Sequence, residues 1–262
     1  MTTGKKVEDR GHIVGFKEEI SKVALSSDDN FFTWFNSSSD KNASFVRGSW
    51  DFIIHIAMPS SRYLSTPEEK VALEIGHGGG RLLAAASRHF KNVIGVDVHE
   101  HNQKVEDELK TRGIDNFRLI KTDGKALPVE SASVDLVYSF IVLQHVEKYD
   151  IFENYVREAF RVLRTNGIAI LYFGRKCKFS QGRSSKFLYL VDRFTENMLL
   201  PRGFQELPAR VNETNLLVSL SHAKSLARKT GFEVLSDLVS HKKVPDGMNL
   251  FGGQNGLVLR KR

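Results

Sequence analysis

The sequence predicts an α/β chain built on a doubly wound, mostly parallel sheet. Apolar strand-like runs alternate with amphipathic helices from Val71 to Phe173, the pattern of helices laid on both faces of a parallel sheet. The first run, Val71–Ile75, opens into the glycine-rich turn Gly76-His77-Gly78-Gly79-Gly80, where bare backbone allows close approach to a ligand. The second run, Val93-Ile94-Gly95-Val96, ends in Asp97, about twenty residues on, where a carboxylate suits the hydroxyls of a ribose.

Residues 1 to about 30 are polar, with no firm period, and Ser37–Asn42 reads as a loop. Val46, Trp50, Ile53, Ile54 and Ala57 follow a helical stripe that Pro59 is expected to end. After the strand at Val71–Ile75 comes a helix striped by Leu82, Leu83, Ala86 and Phe90, and then a second strand, Asn92–Asp97. A polar helix runs to Arg112, with Gly113 as a left-handed cap. Strands are expected at Phe117–Lys121, Ser133–Ser139 and Gly167–Phe173. Between the last two, Phe152, Tyr155, Val156, Ala159, Phe160 and Leu163 mark one face of a helix, with Asp150 and Glu153 as its capping box. The pattern then breaks for some forty-five residues. It resumes in a helix over Leu220–Thr230, capped by Gly231, and strands near Phe232–Ser240 and Gly256–Arg260. Right-handed crossovers place a ligand at the carboxyl ends of the strands, where Gly76 and Asp97 both fall. The expected organisation is an N-terminal helical segment over 1–66 and a ligand-binding domain over 67–262, with 175–218 inserted as a lid.

At 262 residues, 41% hydrophobic and 26% charged, the chain has the composition of an ordinary globular domain. Met1–Arg10 lacks a leader's apolar core and no run reaches the length of a membrane span, so a cytoplasmic location is expected. The single cysteine, Cys177, excludes an internal disulfide and a cysteine-built metal site, and no metal is expected. The formal charge of +7 is scattered over short basic groups such as Arg183–Lys186 and Arg260–Arg262. That scatter reads as solvated surface, which argues against a nucleic-acid partner, although an acidic substrate or polyanionic partner shares the pattern.

Five ordered motifs resemble those of the class I S-adenosylmethionine-dependent methyltransferases. Glu74-Ile75-Gly76-His77-Gly78-Gly79-Gly80 resembles that family's acid and alternating glycines, and Asp97 its acid closing the second strand. Thr122–Pro128 resembles the acid-bearing loop after strand three, and Ser133–Ser139 with Leu143–Val146 the fourth-strand motif. Arg157–Gly167 resembles the helix and turn entering strand five, with Thr165-Asn166-Gly167 in place of the usual proline-glycine-glycine. The match covers about 68–174 well and 219–260 loosely. A nicotinamide-binding motif would need glycine where Arg81 stands.

The resemblance implies a Rossmann-like, seven-stranded sheet with its last strand antiparallel, and S-adenosylmethionine as cofactor, released as S-adenosylhomocysteine. Gly76, His77, Gly78 and Gly80 would run beneath its methionine part, with Glu74 organising the ammonium. Asp97 and the neighbouring Val98 would meet the ribose, Asp123 and the Gly124 amide the adenine, and Ser139 and Phe140 the methionine end. Asp97 and Asp123 are equally residues that cap turns. His145 is the candidate general base, since a neutral imidazole accepts a hydroxyl proton near pH 7.

The expected reaction is methyl transfer to an O or N atom of a small acceptor, anionic or sugar- or lipid-like. Phe31, Phe32, Trp34, Phe35, Trp50 and Phe187, with Arg47 and Arg183, are candidate walls of its pocket. They serve equally as the core of the covering segments. Ser139–Val142 lacks the Asp/Asn-Pro-Pro-Tyr/Phe motif of base-methylating relatives. The alternative is a module that binds the cofactor without turnover or associates with RNA.

Overall fold

The structure is a computed structural model that describes residue 13, residues 15–243 and residues 249–262. Met1–Arg10, the stretch without a leader's apolar core, lies outside the described residues. Where the sequence shows no period, two helices form: α1 (Phe16–Ser26) and α2 (Asp28–Trp34). Ser27 caps α2 by accepting the Asn30 amide at 3.1 Å. α1 buries only Ile20 and Ala24, too sparse a stripe to stand out in the sequence.

α3 (Lys41–Phe52) starts inside the expected loop, because Asp40 caps it by accepting the Ala43 amide at 2.8 Å. A π-turn at Ile53–Ala57 carries it into the short α4 (Met58–Ser60). Pro59 therefore ends nothing; it sits in the first turn of α4, where a missing N–H orphans no partner. The expected apolar stripe also faces the wrong way. Val46, Trp50 and Ile53 are exposed, while Ser44, Phe45, Gly48 and Phe52 are buried. Gly48 decides this, since any side chain there would strike the Arg81 backbone of the next helix.

The sheet follows the expected alternation. β1 (Val71–Ile75), β2 (Asn92–Asp97), β3 (Phe117–Lys121), β4 (Val134–Ser139) and β5 (Leu163–Gly174) are connected by α5 (Arg81–Ala86), α6 (Asn102–Thr111) and α7 (Tyr149–Val162). Their order is β3-β2-β1-β4-β5, all parallel. Lys148, without a side-chain cap, precedes α7, and Glu153 pairs with Arg157 at 2.5 Å, so Asp150 and Glu153 form no capping box. The Thr165–Gly167 turn lies inside β5, where Asn166 has φ 66° and pairing with β4 shifts register.

The inserted stretch holds α8 (Lys186–Leu199) and the hairpin β6 (Phe204–Glu206) and β7 (Leu216–Val218), joined to β5 at Gly174. α9 (Leu220–Thr230), with Gly231 at φ 111°, leads into β8 (Phe232–Lys243) and β9 (Asn249–Lys261). β9 runs antiparallel to β5, as expected for the last strand. Among the described residues the sheet has nine strands rather than seven, because the insertion supplies two. On one face Phe152, Val156, Ala159 and Leu226 pack against Leu73, Val137 and Leu171. On the other, Phe32, Phe52, Leu83 and Val105 pack against Ala72, Leu136 and Ile170. Both site motifs thus sit at the carboxyl edge of a sheet buried on two sides. Among the described residues no helix is long and apolar enough to cross a membrane.

Candidate functional site

β1 ends at Ile75, and the chain turns through Gly76 at φ 78°, Gly78 at φ 51° and Gly80 at φ 77°, a region L side chains avoid. The Gly76 amide donates to Val96 O at 2.7 Å, clasping the turn to β2. A side chain at Gly76 would run into Val142, and a Cβ at Gly78 would stand 2.8 Å from Phe35 Cδ1. Bare backbone here is a steric requirement. Gly80 differs: it precedes α5, faces Val105 and does not line the cavity.

Asp97 is buried beside this turn. Its Oδ2 accepts the Gly78 amide at 2.8 Å, and its Oδ1 accepts the amides of Val98 at 2.7 Å and His99 at 3.3 Å. Burial pushes the carboxyl up, but His99, His77 and the Gly78 and Val98 amides outweigh it and hold the group below its ordinary range. Three amides occupy most of the roughly four acceptor positions of a carboxylate, so Asp97 has one outward position left for a ligand. Val98 lines the cavity beside it.

His77, Asp97 and His99 bring one ligand-type atom each within 4.8 Å of one another. His99 is already committed: Nδ1 accepts the His101 amide at 3.1 Å and Nε2–H donates to Gly78 O at 3.0 Å. His77 Nδ1–H donates to the same carbonyl at 3.0 Å. Coordination through His99 Nε2 would break the bond that shapes the turn. The cluster reads as a hydrogen-bonded brace for the glycine backbone.

Glu74, on β1, is buried, and its Oε2 accepts the Tyr138 hydroxyl at 3.1 Å. Burial pushes its carboxyl up to about 8, so it is mainly protonated at pH 7. Ser139 is fully buried and donates to Ile75 O at 3.2 Å, which ties β4 to β1 and keeps its side chain off the cavity wall. Phe140 does line the cavity, stacked on His55 with ring centres 4.2 Å apart. Ile141 follows with φ 61°. A β-branched residue in that conformation is strained, and it sits in the cavity wall.

Asp123 and Gly124 stand away from the cavity lining. Asp123 Oδ1 accepts the amides of Lys125 at 2.8 Å and Ala126 at 3.2 Å, and the Gly124 amide donates to Thr122 Oγ1 at 3.2 Å. Asp123 is therefore a turn cap in this structure, its pKa lowered first by the Lys125 amide. The buried Tyr155, which lines the cavity, feels the charges of both Asp97 and Asp123.

His145 lines the same cavity as the glycine turn. Its Nδ1–H donates to Glu213 O at 2.6 Å, which leaves the lone pair on Nε2, 3.2 Å from Gln144 Nε2. Burial lowers its pKa, so the ring is neutral at pH 7. The tautomer suits a base; the lone pair is engaged by the neighbouring amide.

Counted together with the open solvent at its mouth, the space between these residues is about 1060 Å³. Of the expected aromatic walls, Trp34 and Phe35 line it; Phe31 and Phe32 are core, and Trp50 and Phe187 are exposed. Arg47 donates to Asn36 O at 2.7 Å, and Arg183 is exposed outside the lining. From residues 175–218 only Asn212 reaches the lining. Sequence reasoning passed over Phe16, Ile13, Val142, Val146 and Tyr155 as lining residues. Phe16 stood in a stretch without period, and Tyr155 was read only as part of a core stripe.

A family model described as a methyltransferase domain matches residues 73–171. An uncharacterized methyltransferase from Mycobacterium sp. (strain KMS) is 28% identical over 109 residues, which cover 42% of this chain and 40% of that protein. The chain thus spans well under half the length of this relative. A SAM-dependent methyltransferase from Methanosarcina mazei has the same fold, with TM-score 0.52, 19% identity, and 77% of this chain and 95% of that chain covered. So does the [4+2]-cyclase SpnF, with TM-score 0.54, 14% identity, and 86% and 83% covered. Glycine turn, strand-end carboxylate, sheet order and family match agree: residues 73–171 match a methyltransferase domain, in a fold shared with S-adenosylmethionine-dependent methyltransferases.

Proposed function

We propose that the chain transfers a methyl group from S-adenosylmethionine to an O or N atom of a small acceptor. One observation carries this reading. A single cavity joins the bare backbone of Gly76–Gly78, the residues Glu74 and Asp97, and His145 and Phe140. The residues fit the cofactor on their own terms. Gly76 and Gly78 leave a cradle that a Cβ would fill, Asp97 is an ionised acceptor, and Glu74 is an acid poised to meet a cation.

Bound there, the cofactor supplies a methyl group on an electron-poor sulfonium. The chain's part is alignment and exclusion of water. Asp97 would take a ribose hydroxyl at its outward position, and Gly76–Gly78 and Phe140 would bracket the methionine end. Asp123 and Gly124 would reach adenine from the strand-three loop. Ile13, Phe16, Trp34 and Phe35 add apolar surface to the cavity wall, which suits an acceptor with a flat or lipid-like part. His145 Nε2 would take the acceptor's proton once Gln144 turns away.

The fold alone does not select this chemistry, since a cyclase shares it. The test is calorimetric titration with S-adenosylmethionine, followed by a homocysteine-release assay over hydroxyl and amine metabolites. Cofactor binding with turnover of an acceptor supports the reading. Binding without turnover on any acceptor favours the cofactor-binding module instead.

A further inference from the structure

We propose that the outer face of α8 docks the protein on an anionic membrane surface. Phe187, Leu190, Phe194 and Met198 recur at helical spacing and are exposed, Phe187 at 71%, Phe194 at 81% and Met198 at 74%. They make one continuous apolar stripe, with the exposed Phe179 in the preceding loop, which a soluble surface does not leave open without use.

The charges around the stripe select its partner. Between Arg175 and Gln205 the only carboxylates are Asp192 and Glu196, and both are turned inward. Asp192 accepts the amides of Lys178 at 2.9 Å and Ser180 at 2.8 Å, while Glu196 accepts the Leu220 amide at 2.9 Å and the Asn255 amide group at 2.8 Å. These buried, hydrogen-bonded carboxylates anchor the inner face of the helix to β9, the start of α9 and the 178–180 loop. The outer side is left with apolar groups and cations. Lys178, Arg183, Lys186 and Arg202 are exposed and join no ion pair among the described residues. The carboxylate beside the helix, Asp237, is held by Lys224 at 2.6 Å and by Arg193 at 3.9 Å, so an aromatic-rich stripe with unpaired basic residues in its own segment has the composition of a helix lying in a lipid interface, with basic side chains on headgroup phosphates. A second copy of the chain would bring the same cations against these, a repulsive pairing.

The test is co-sedimentation of the full chain with phosphatidylglycerol vesicles and with phosphatidylcholine vesicles, at low and high salt. Expected are binding to the anionic vesicles, weakening as salt rises, and about tenfold or greater loss of that binding in Phe187→Ser/Phe194→Ser. Both sites are exposed, so circular dichroism and cofactor affinity should match wild type. No pelleting with phosphatidylglycerol, equal binding to phosphatidylcholine, or undiminished binding by the double variant would overturn the proposal. So would a dimer in sedimentation velocity that the double variant abolishes while vesicle binding is absent.

Discussion

The Gly78 amide donates a 2.8 Å hydrogen bond to Asp97 Oδ2, joining the turn after β1 to the end of β2. Two motifs that the chain separates by nineteen positions are one hydrogen-bonded unit. The carboxylate is oriented before any ligand arrives, so little side-chain ordering remains to oppose binding.

Asp97→Ala removes that bond together with those from the Val98 and His99 amides. Cofactor affinity is expected to fall by about 1–3 kcal/mol, the scale of lost charge-assisted hydrogen bonds. The melting temperature should fall as well, because three amides lose their acceptor. Asp97→Asn keeps an acceptor oxygen and should lose less stability than affinity. An unchanged titration for Asp97→Ala would remove the residue from the binding site.

Gly76→Ala places a methyl group against Val142 in a backbone at φ 78°. The strain is expected to cost about 1–3 kcal/mol of stability and to narrow the cavity. Val142→Ala in the same chain should restore part of the cofactor affinity by vacating the space, while the φ penalty persists. Equal affinity in single and double variants, by titration, would show that the clash is not what requires glycine.

β1, β2 and the glycine turn were legible because a buried parallel strand is a short apolar run and a glycine cluster has few other uses. The strand-end carboxylate at Asp97 was legible for the same reason: it follows such a run directly. Three features were not. α3 buries Ser44 and Gly48 rather than Val46 and Trp50, because close approach to Arg81 rewards small size over hydrophobicity. α8 turns Phe187 and Phe194 outward and two acids inward, the inverse of the usual pattern. The positive φ of Ile141 depends on neighbours that no spacing reveals.

His55 is buried in the π-turn, where Nδ1–H donates to Asp51 O at 3.0 Å and Nε2 accepts the His241 amide at 3.1 Å. Burial pulls its pKa down from 6.5 to about 4. The unfolded chain therefore takes up the proton first as pH falls. The stability from neutral His55 is present above about 6.5 and is lost as pH drops toward 4. Chemical denaturation from pH 7 to pH 4 should show that loss, and His55→Gln, which cannot charge, should flatten it. Parallel curves for the two proteins would assign acid sensitivity elsewhere.

Glu74 behaves in the opposite sense. Its folded pKa of about 8 lies above its ordinary 4.5, so its contribution to stability is full below 4.5 and is lost as pH rises through 8. A cofactor ammonium placed beside it favours the ionised form and expels the proton. Titrations with S-adenosylmethionine at pH 7 in buffers of different ionisation enthalpy should report proton release. Glu74→Gln should abolish that dependence and weaken binding. Identical heats in all buffers for wild type would mean that Glu74 does not meet the ammonium.

His145 donates to Glu213 O at 2.6 Å and presents its lone pair to Gln144, so its role as base depends on a neighbour that covers it. His145→Ala should slow methyl transfer at nearly constant cofactor affinity, by about 10²–10⁴-fold if proton removal lies in the transition state. Gln144→Ala frees Nε2 and should leave the rate unchanged or raise it at sub-saturating acceptor. The pH–rate profile separates this from a structural effect. With His145 as base the acidic limb belongs to a group whose pKa burial has lowered, and that limb should vanish in His145→Ala. A limb that survives the substitution places the proton acceptor elsewhere on the cavity wall.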